Sequence, residues 1–222
     1  ITKLSDEFTK LGNRILFFEL GLGKISLTLQ KKFLKSPKLQ HYRYFLEKLF
    51  ENSKYNLTEP EEKILNLKTQ TSYSMWVEGF DKLLTKQTIR FGGKELPISE
   101  AQGKIPSLPK KERYALSDKV MERYRNISDF AESEINAVVL HKKINDELRG
   151  HLRPYSATIL NYENSEKSVL NLVETVTNAY KISHRFYELK AKLLSLKTFR
   201  YADRGARIGK SRQNISFDEA SA

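Results

Sequence analysis

Apolar residues recur with a helical period almost from the start of the chain. Leu4, Phe8, Leu11, Ile15, Phe18, Leu22, Ile25 and Leu29 step by alternating fours and threes. That 3.5-residue repeat predicts a long helix whose apolar seam packs against a partner helix. Gly21 and Gly23 fall inside the run, each costing a helix about 1 kcal/mol relative to Ala, and predict a break there. Ser36-Pro37 predicts a new helix, with Ser as cap and Pro in its first turn, striped by Leu39, Tyr42, Leu46 and Leu49. Thr58-Glu59-Pro60-Glu61 has capping-box spacing and predicts another helix start. Tyr73, Trp76, Val77, Phe80 and Leu84 form a further helical face.

The period then changes. Ile89-Arg90-Phe91, Gly92-Gly93 and Lys94-Glu95-Leu96 predict a β-hairpin near residues 88–98 with a two-glycine turn, its second strand limited by Pro97. Residues 99–109, which carry Gly103, Pro106 and Pro109, read as a loop and a lobe boundary. Helices resume with Leu116, Val120 and Tyr124. Ser128 then caps a helix striped by Ala137, Leu140, Ile144 and Leu148 and closed by Gly150. Beyond a loop around Pro154, Val169, Leu172, Val173, Val176 and Tyr180 mark one helix. Ser183 caps another, carrying Phe186, Leu189, Leu193 and Leu196. Ser216, with Asp218 and Glu219 behind it, is a last helix start. The predicted fold class is mainly α, a multi-helix, bundle-like lobe with one short hairpin. Its expected parts are an N-terminal helical lobe over 1–105 and a second helical region over 106–222.

Composition narrows this. The chain has 222 residues, 39% hydrophobic, with 12 Phe and 11 Tyr, enough to build a core. It has no cysteine, which excludes disulfides, thiolate metal sites and cysteine nucleophiles, and is compatible with a cytoplasmic location. No apolar run approaches the roughly 20 residues needed to span a bilayer, and the first residues hold no signal-peptide core. The chain opens on Ile1 rather than Met, and its last helix start lies close to residue 222. Both suggest a segment of a longer protein. Asn56, Asn126 and Asn214 match the glycan-acceptor pattern, but each Ser or Thr falls where a helix needs a cap. The net charge is +12, with lysines spread along every predicted helix as on solvated faces, which leaves a basic nucleic-acid-binding domain as a lesser alternative. A second alternative is a helical interaction or oligomerisation module built on the first seam.

The chain shows no catalytic constellation. A thermolysin-type zinc site needs His-Glu-x-x-His on one helix face. None of His41, His141, His151 and His184 is followed by Glu or by a second His four residues on. His184 and Glu188 share a face, but two ligands make a poor site, and an ordinary helix charge beside a solvent-facing His explains them. Residues 205–211 mimic a phosphate loop with three residues between the glycines instead of four, and no apolar strand precedes them. Gly21-Leu22-Gly23-Lys24 lies within the heptad run. The pairs Glu61/Glu62 and Asp218/Glu219 suit helix first turns. No serine sits in Gly-x-Ser-x-Gly, Arg153-Pro154-Tyr155 reads as an ordinary loop, and the aromatic stripes read as core. No catalytic, cofactor-binding or metal residue is assigned.

Several segments, in order, carry a family resemblance. They are Leu57-Thr58-Glu59-Pro60-Glu61-Glu62-Lys63-Ile64-Leu65 and the helix over 129–149 with Ala131, Glu134, Asn136, Ala137, Lys142 and Lys143. Then come Ile182-Ser183-His184-Arg185-Phe186-Tyr187-Glu188-Leu189-Lys190-Ala191-Lys192-Leu193-Leu194, Tyr201-Ala202-Asp203-Arg204 and Phe217-Asp218-Glu219-Ala220. This order resembles the part of oligoendopeptidase F type zinc metallopeptidases, relatives of thimet oligopeptidase, that precedes the catalytic domain. The resemblance runs from residue 57 onward and more weakly through the first helices. It implies a largely helical, two-lobed parent with a deep channel in which a zinc-bound water cuts short peptides internally. The parent would then be a metalloendopeptidase holding one zinc ion, with oligopeptides as substrates. Its zinc ligands and general base match no residue here, so this segment would supply one channel wall and be inactive alone.

Overall fold

The computed structural model describes residues 2–209 and 217–221. The expectations placed on Lys210, Ser211, Asn214 and Ser216 lie outside those residues.

Local signals start and stop the helices. Helix α1 (Thr2–Gly23) ends on Gly23, and α2 (Leu27–Lys35) begins after Ser26, whose hydroxyl accepts from the Leu29 amide at 3.4 Å. Pro37 opens a 3₁₀ turn (Pro37–Tyr42) that leads into α3 (Arg43–Asn52), where Leu46 is buried. Before α4 (Glu59–Thr69) the capping box forms, the Glu61 carboxylate accepting from the Thr58 amide at 2.9 Å. A π-helical turn (Gln70–Ser74) joins α4 to α5 (Met75–Thr85). Strands β1 (Thr88–Phe91) and β2 (Lys94–Pro97) pair antiparallel with Ile89 opposite Leu96, turning on Gly92 and Gly93 at φ of 58° and 77°. Two consecutive positive φ values make a hairpin turn whose twist suits the strands, and glycine adopts them without strain.

Residues 99–109, expected as a loop, instead hold helix α6 (Ile98–Lys104) and a 3₁₀ turn (Ile105–Ser107). Ile98 and Ala101, three residues apart, are both buried against the hairpin, and that burial outweighs the helix-breaking tendency of Gly103. Helices α7 (Lys110–Asn126) and α8 (Ser128–Leu148) follow. The Ser128 hydroxyl donates back to the Arg125 carbonyl at 2.8 Å rather than accepting from the next turn. Gly150 ends this stretch at φ 73°. A short helix α9 (Ser156–Asn161) precedes α10 (Glu166–Asn178) and α11 (Tyr180–Leu193). Helix α11 starts at Tyr180, not at the expected Ser183 cap. The chain bends at Ala179, and Ser183 sits inside the helix. A 3₁₀ turn (Tyr201–Asp203) and helix α12 (Phe217–Ser221) complete the described elements.

The chain divides into two compact units, residues 1–80 with 130–170 and residues 81–129 with 171–222. In the second unit Ile89, Leu96, Ile98, Ala101, Leu116 and Val120 form one apolar cluster. In the first, α1 packs on α3 and α4, but not through its seam. Leu4, Phe8, Leu11, Ile15 and Phe18 are all exposed, whereas Asn13 and Leu20 are buried. The expected seam-to-partner packing is thereby corrected. The Asn13 amide donates to the Lys63 carbonyl at 3.3 Å and accepts from Asn66 at 2.9 Å, and these bonds hold the polar face inward. Helix α8 is likewise rotated from expectation, since Leu140, Ile144 and Leu148 are exposed. His141, Lys142 and Asn145 are half-buried there and Asp146 is buried.

Candidate functional site

The most tightly built cluster is in the second unit, around Asp203. Its side chain is fully buried. Arg113 of α7 donates to Asp203 Oδ1 through Nε at 3.0 Å and Nη2 at 2.6 Å, while its Nη1 donates to the Leu108 carbonyl at 2.9 Å. The other oxygen, Oδ2, accepts from the Tyr114 hydroxyl at 2.8 Å and the Arg200 amide at 2.9 Å. Burial by itself would raise this carboxyl, but the Arg200 amide, Tyr114 and Arg113 outweigh it and hold the group below the usual aspartate range. The Tyr114 phenol is pushed up by burial and by Asp203. Lys190 of α11 is buried and donates to the Arg204 carbonyl at 2.6 Å. The Leu189-Lys190 and Tyr201-Ala202-Asp203-Arg204 segments thus belong to one clasp that ties α11 and the following turn to α7.

Beside the clasp lies an open cavity of about 780 Å³ whose lining includes Tyr114, Met121, Tyr124, Arg200, Tyr201 and Arg204. The Arg200 guanidinium stands 4.7 Å from the Tyr114 ring centroid, and Arg204 the same distance over Tyr201. Asp118 approaches Arg200 at 3.8 Å. Such a lining can hold apolar groups and orient a carboxylate. Asp203 and Tyr114 are not free for acid–base chemistry there, because Asp203 has spent both oxygens and the Tyr114 proton is committed to it.

The first unit offers a Ser–His–Asn cluster. His141 Nδ1 lies 2.9 Å from Ser72 Oγ, and Nε2 lies 2.9 Å from Asn145 Nδ2. Ser72 Oγ donates to the Lys68 carbonyl at 2.8 Å. The hydroxyl proton is therefore used, so the ring proton sits on Nδ1 and points at Ser72, while Nε2 accepts from Asn145. In that tautomer the imidazole cannot take the serine proton, and the cluster is a structural link. Burial holds His141 below its usual value, as the neutral ring requires. Nearby, Arg149 grips Glu62 with two bonds of 2.6 Å, and His151 stacks on Tyr55 at 4.2 Å. The Glu62 carboxyl, which burial would raise, is held low by Arg149 and the Leu57 amide.

His41 and His184 are exposed, and no three His, Asp or Glu side chains converge as a metal-holding group among the described residues. The described residues do not fit a zinc centre. Sequence reasoning singled out the turn at Asp203 through its resemblance but missed Arg113, Tyr114 and the buried role of Lys190. The local signal for Arg113 was a cation on the apolar stripe of α7 itself, three residues before Leu116.

Comparison with known proteins agrees with this architecture. The family model described as Oligopeptidase F matches residues 22–86. An oligoendopeptidase F homolog of Lactococcus lactis subsp. lactis (strain IL1403) is 25% identical over 210 residues, covering 91% of this chain and 35% of the relative. A plasmid oligoendopeptidase F of Lactococcus lactis subsp. cremoris is 25% identical over 202 residues, covering 88% of this chain and 34% of that one. The crystal structure of oligoendopeptidase-F from Enterococcus faecium shares the fold with a TM-score of 0.80 at 19% identity, over 92% of this chain and 42% of that structure. The chain spans about a third of the length of the curated relatives it matches. The family model, the relatives and the shared fold together support an oligoendopeptidase F-type segment.

Proposed function

We propose that this chain is the N-terminal, channel-forming segment of a cytoplasmic, zinc-dependent oligoendopeptidase that cuts internal bonds of short peptides. What carries this reading is similarity to proteins named oligoendopeptidase F over about nine-tenths of the chain. The chain's own contribution is binding surface rather than chemistry. The clasp at Asp203 fixes a wall on which Arg200, Arg204 and three tyrosines can receive a peptide's carboxylate and apolar groups. The zinc ligands and general base lie in the remainder of a relative-length protein, and no residue here is assigned to them.

The test uses the full-length protein that carries this segment, with internally quenched peptides of graded length. It is expected to cut short peptides at internal bonds, to spare a folded protein, to stop with a zinc chelator and to recover when zinc is returned. The 222-residue chain alone is expected to cut nothing. A full-length protein inert on every peptide with zinc present, or one indifferent to chelation, overturns the reading.

A further inference from the structure

The cavity beside the clasp carries more positive charge than its own carboxylates balance. Two guanidiniums line it, Arg200 and Arg204, and one carboxylate, Asp118. Asp118 reaches Arg200 only at 3.8 Å, with 72% of its side chain exposed, and among the described residues no carboxylate pairs with Arg204. Lys190 adds a buried cation on the Arg204 carbonyl, while Arg113 is already neutralised by Asp203. Each cavity guanidinium lies against a ring, Arg200 on Tyr114 and Arg204 on Tyr201, both at 4.7 Å. A stacked guanidinium keeps its N–H edge available, and that planar fork matches a carboxylate.

The rest of the lining is ordered along one helix. Tyr114, Ser117, Met121 and Tyr124 line the cavity at spacings of three, four and three, a single face of α7. Met121 stands about 10 Å along the axis from Tyr114. A carboxylate therefore meets Arg200 at one end of this face, and an apolar side chain meets Met121 and Tyr124 at the other. The turn that carries Arg204 is closely backed, since a Cβ at Gly205 would stand 3.0 Å from Pro106 Cγ. A peptide that reaches the arginines meets that wall rather than an exit. The volume, about 780 Å³, falls within the range of sites that take small ligands.

We infer that this cavity is a subsite for the C-terminal end of a peptide. Arg200 and Arg204 hold the free α-carboxylate, and Met121 and Tyr124 receive the apolar side chain next to it. Arg200 is then a specificity-determining residue, selecting peptides that end in a free carboxylate over those that carry one internally. The choice of a peptide as ligand rests on the peptidase reading, so binding and cutting are measured separately.

The experiment uses the full-length protein and fluorescein-labelled pentapeptides ending in Phe-Leu, as the free acid and as the C-terminal amide. Their internal bonds are N-methylated so that they are not cut. Fluorescence anisotropy is expected to show the free acid binding about tenfold more tightly than the amide, the effect of one charge-assisted pair. Arg200→Met is expected to remove most of that ratio. Arg200→Lys keeps the charge but not the fork, and is expected to restore only part of it. Asp118→Asn removes the competing carboxylate and is expected to raise the ratio by about two- to fivefold, a gain that a misfolded variant does not produce. A free acid and an amide that bind alike, a ratio that survives Arg200→Met, or an amide with an internal Asp-Leu that binds as tightly as the free acid overturns the inference. A protein that cuts peptides yet binds both forms alike upholds the peptidase reading and not this one. A protein that cuts nothing yet keeps the ratio upholds this one alone.

Discussion

Among the described residues, the two units differ in what they bury: one buries mainly apolar side chains, the other at least as many polar as apolar. Around the hairpin, Ile89, Leu96, Ile98, Ala101, Leu116 and Val120 form an apolar cluster, and the buried charges of the same unit, Arg113 with Asp203 and Lys190 on the Arg204 carbonyl, are partnered. In the other unit the inward positions include Asn13, Glu62 and Asp146, while Leu4, Phe8, Ile15, Leu140 and Leu148 point outward. The cluster at the hairpin is thus closed by its own side chains, although Leu172, Val173, Phe186, Leu189 and Leu193, on α10 and α11 in the same unit, are exposed. The other unit buries Leu20 and Leu46 beside its directed polar bonds and leaves the apolar faces of α1 and α8 exposed. Hydrophobic burial is non-directional and tolerates small shifts, whereas a buried polar link fails outright when one partner is lost.

That contrast is broken most severely at Asp203. Replacing it with Ala leaves the Arg113 guanidinium buried without its carboxylate and the Arg200 amide without its acceptor. A loss of about 3–5 kcal/mol is expected in urea unfolding followed by hairpin amides. Replacing both partners together, Arg113→Met with Asp203→Leu, should cost clearly less than Asp203→Ala alone, because no lone charge remains. A double variant as unstable as the single one contradicts the account of the clasp.

Next comes a matched pair of apolar truncations. Leu116 is 0% exposed, and Leu116→Ala should cost about 2–5 kcal/mol. Leu11 lies on the outward face of α1, and Leu11→Ala should change the stability of the chain by less than about 0.5 kcal/mol. Equal effects in thermal unfolding would remove the distinction between a closed core and an exposed face.

The sidedness of α1 is where the sequence is least informative, and the reason is physical. Breaks and turns are local, so Gly23, the Thr58–Glu61 box, Gly92-Gly93 and Gly150 act where their chemistry alone predicts, whereas Ser128 and Ser183, expected as caps, lie within their helices. Apolar periodicity gives the phase of a stripe but not what the stripe faces. For α1 and α8 it marks the outward face, because Asn13, His141 and Asn145 find partners inside that no local pattern announces. Helix α6 was hidden for a related reason, since only the hairpin's presence makes burial of Ile98 and Ala101 favourable. The clasp was half legible. Its Asp203 turn stood out through a family resemblance, while Arg113, ninety residues away, became visible only through the bonds between them.

The Arg149–Glu62 bridge offers a smaller effect within the polar unit. Arg149 keeps about a quarter of its side chain exposed, at 26%, so water partly replaces what a substitution removes. Arg149→Met should cost about 1.5–3 kcal/mol, below the loss at Asp203, when read on amides of α4 and α8. A cost above that of Asp203→Ala would invert the order of the two ion pairs.

The smallest expected effect separates the units by pH. Burial lowers the His141 and His151 pKa values in the folded chain, so the unfolded chain binds protons first as pH falls. The stability these groups contribute is fully present above about 6.5, the usual histidine value, and is lost as pH drops below it. Protonation would also place a second proton on His141 Nε2, facing the Asn145 amide that now donates to it. Asp203 behaves oppositely in range. Its folded pKa is depressed, so its contribution holds down to the ordinary aspartate value of about 3.9 and fades only below that. Hydrogen exchange between pH 7.5 and 5 should therefore show weakening protection in α4 and α8 and little change, after correction for intrinsic rates, in β1 and β2. His141→Gln should flatten part of the first slope and leave the second alone. A hairpin that loosens in step with α8 over this range would mean that the two units respond to protons as one.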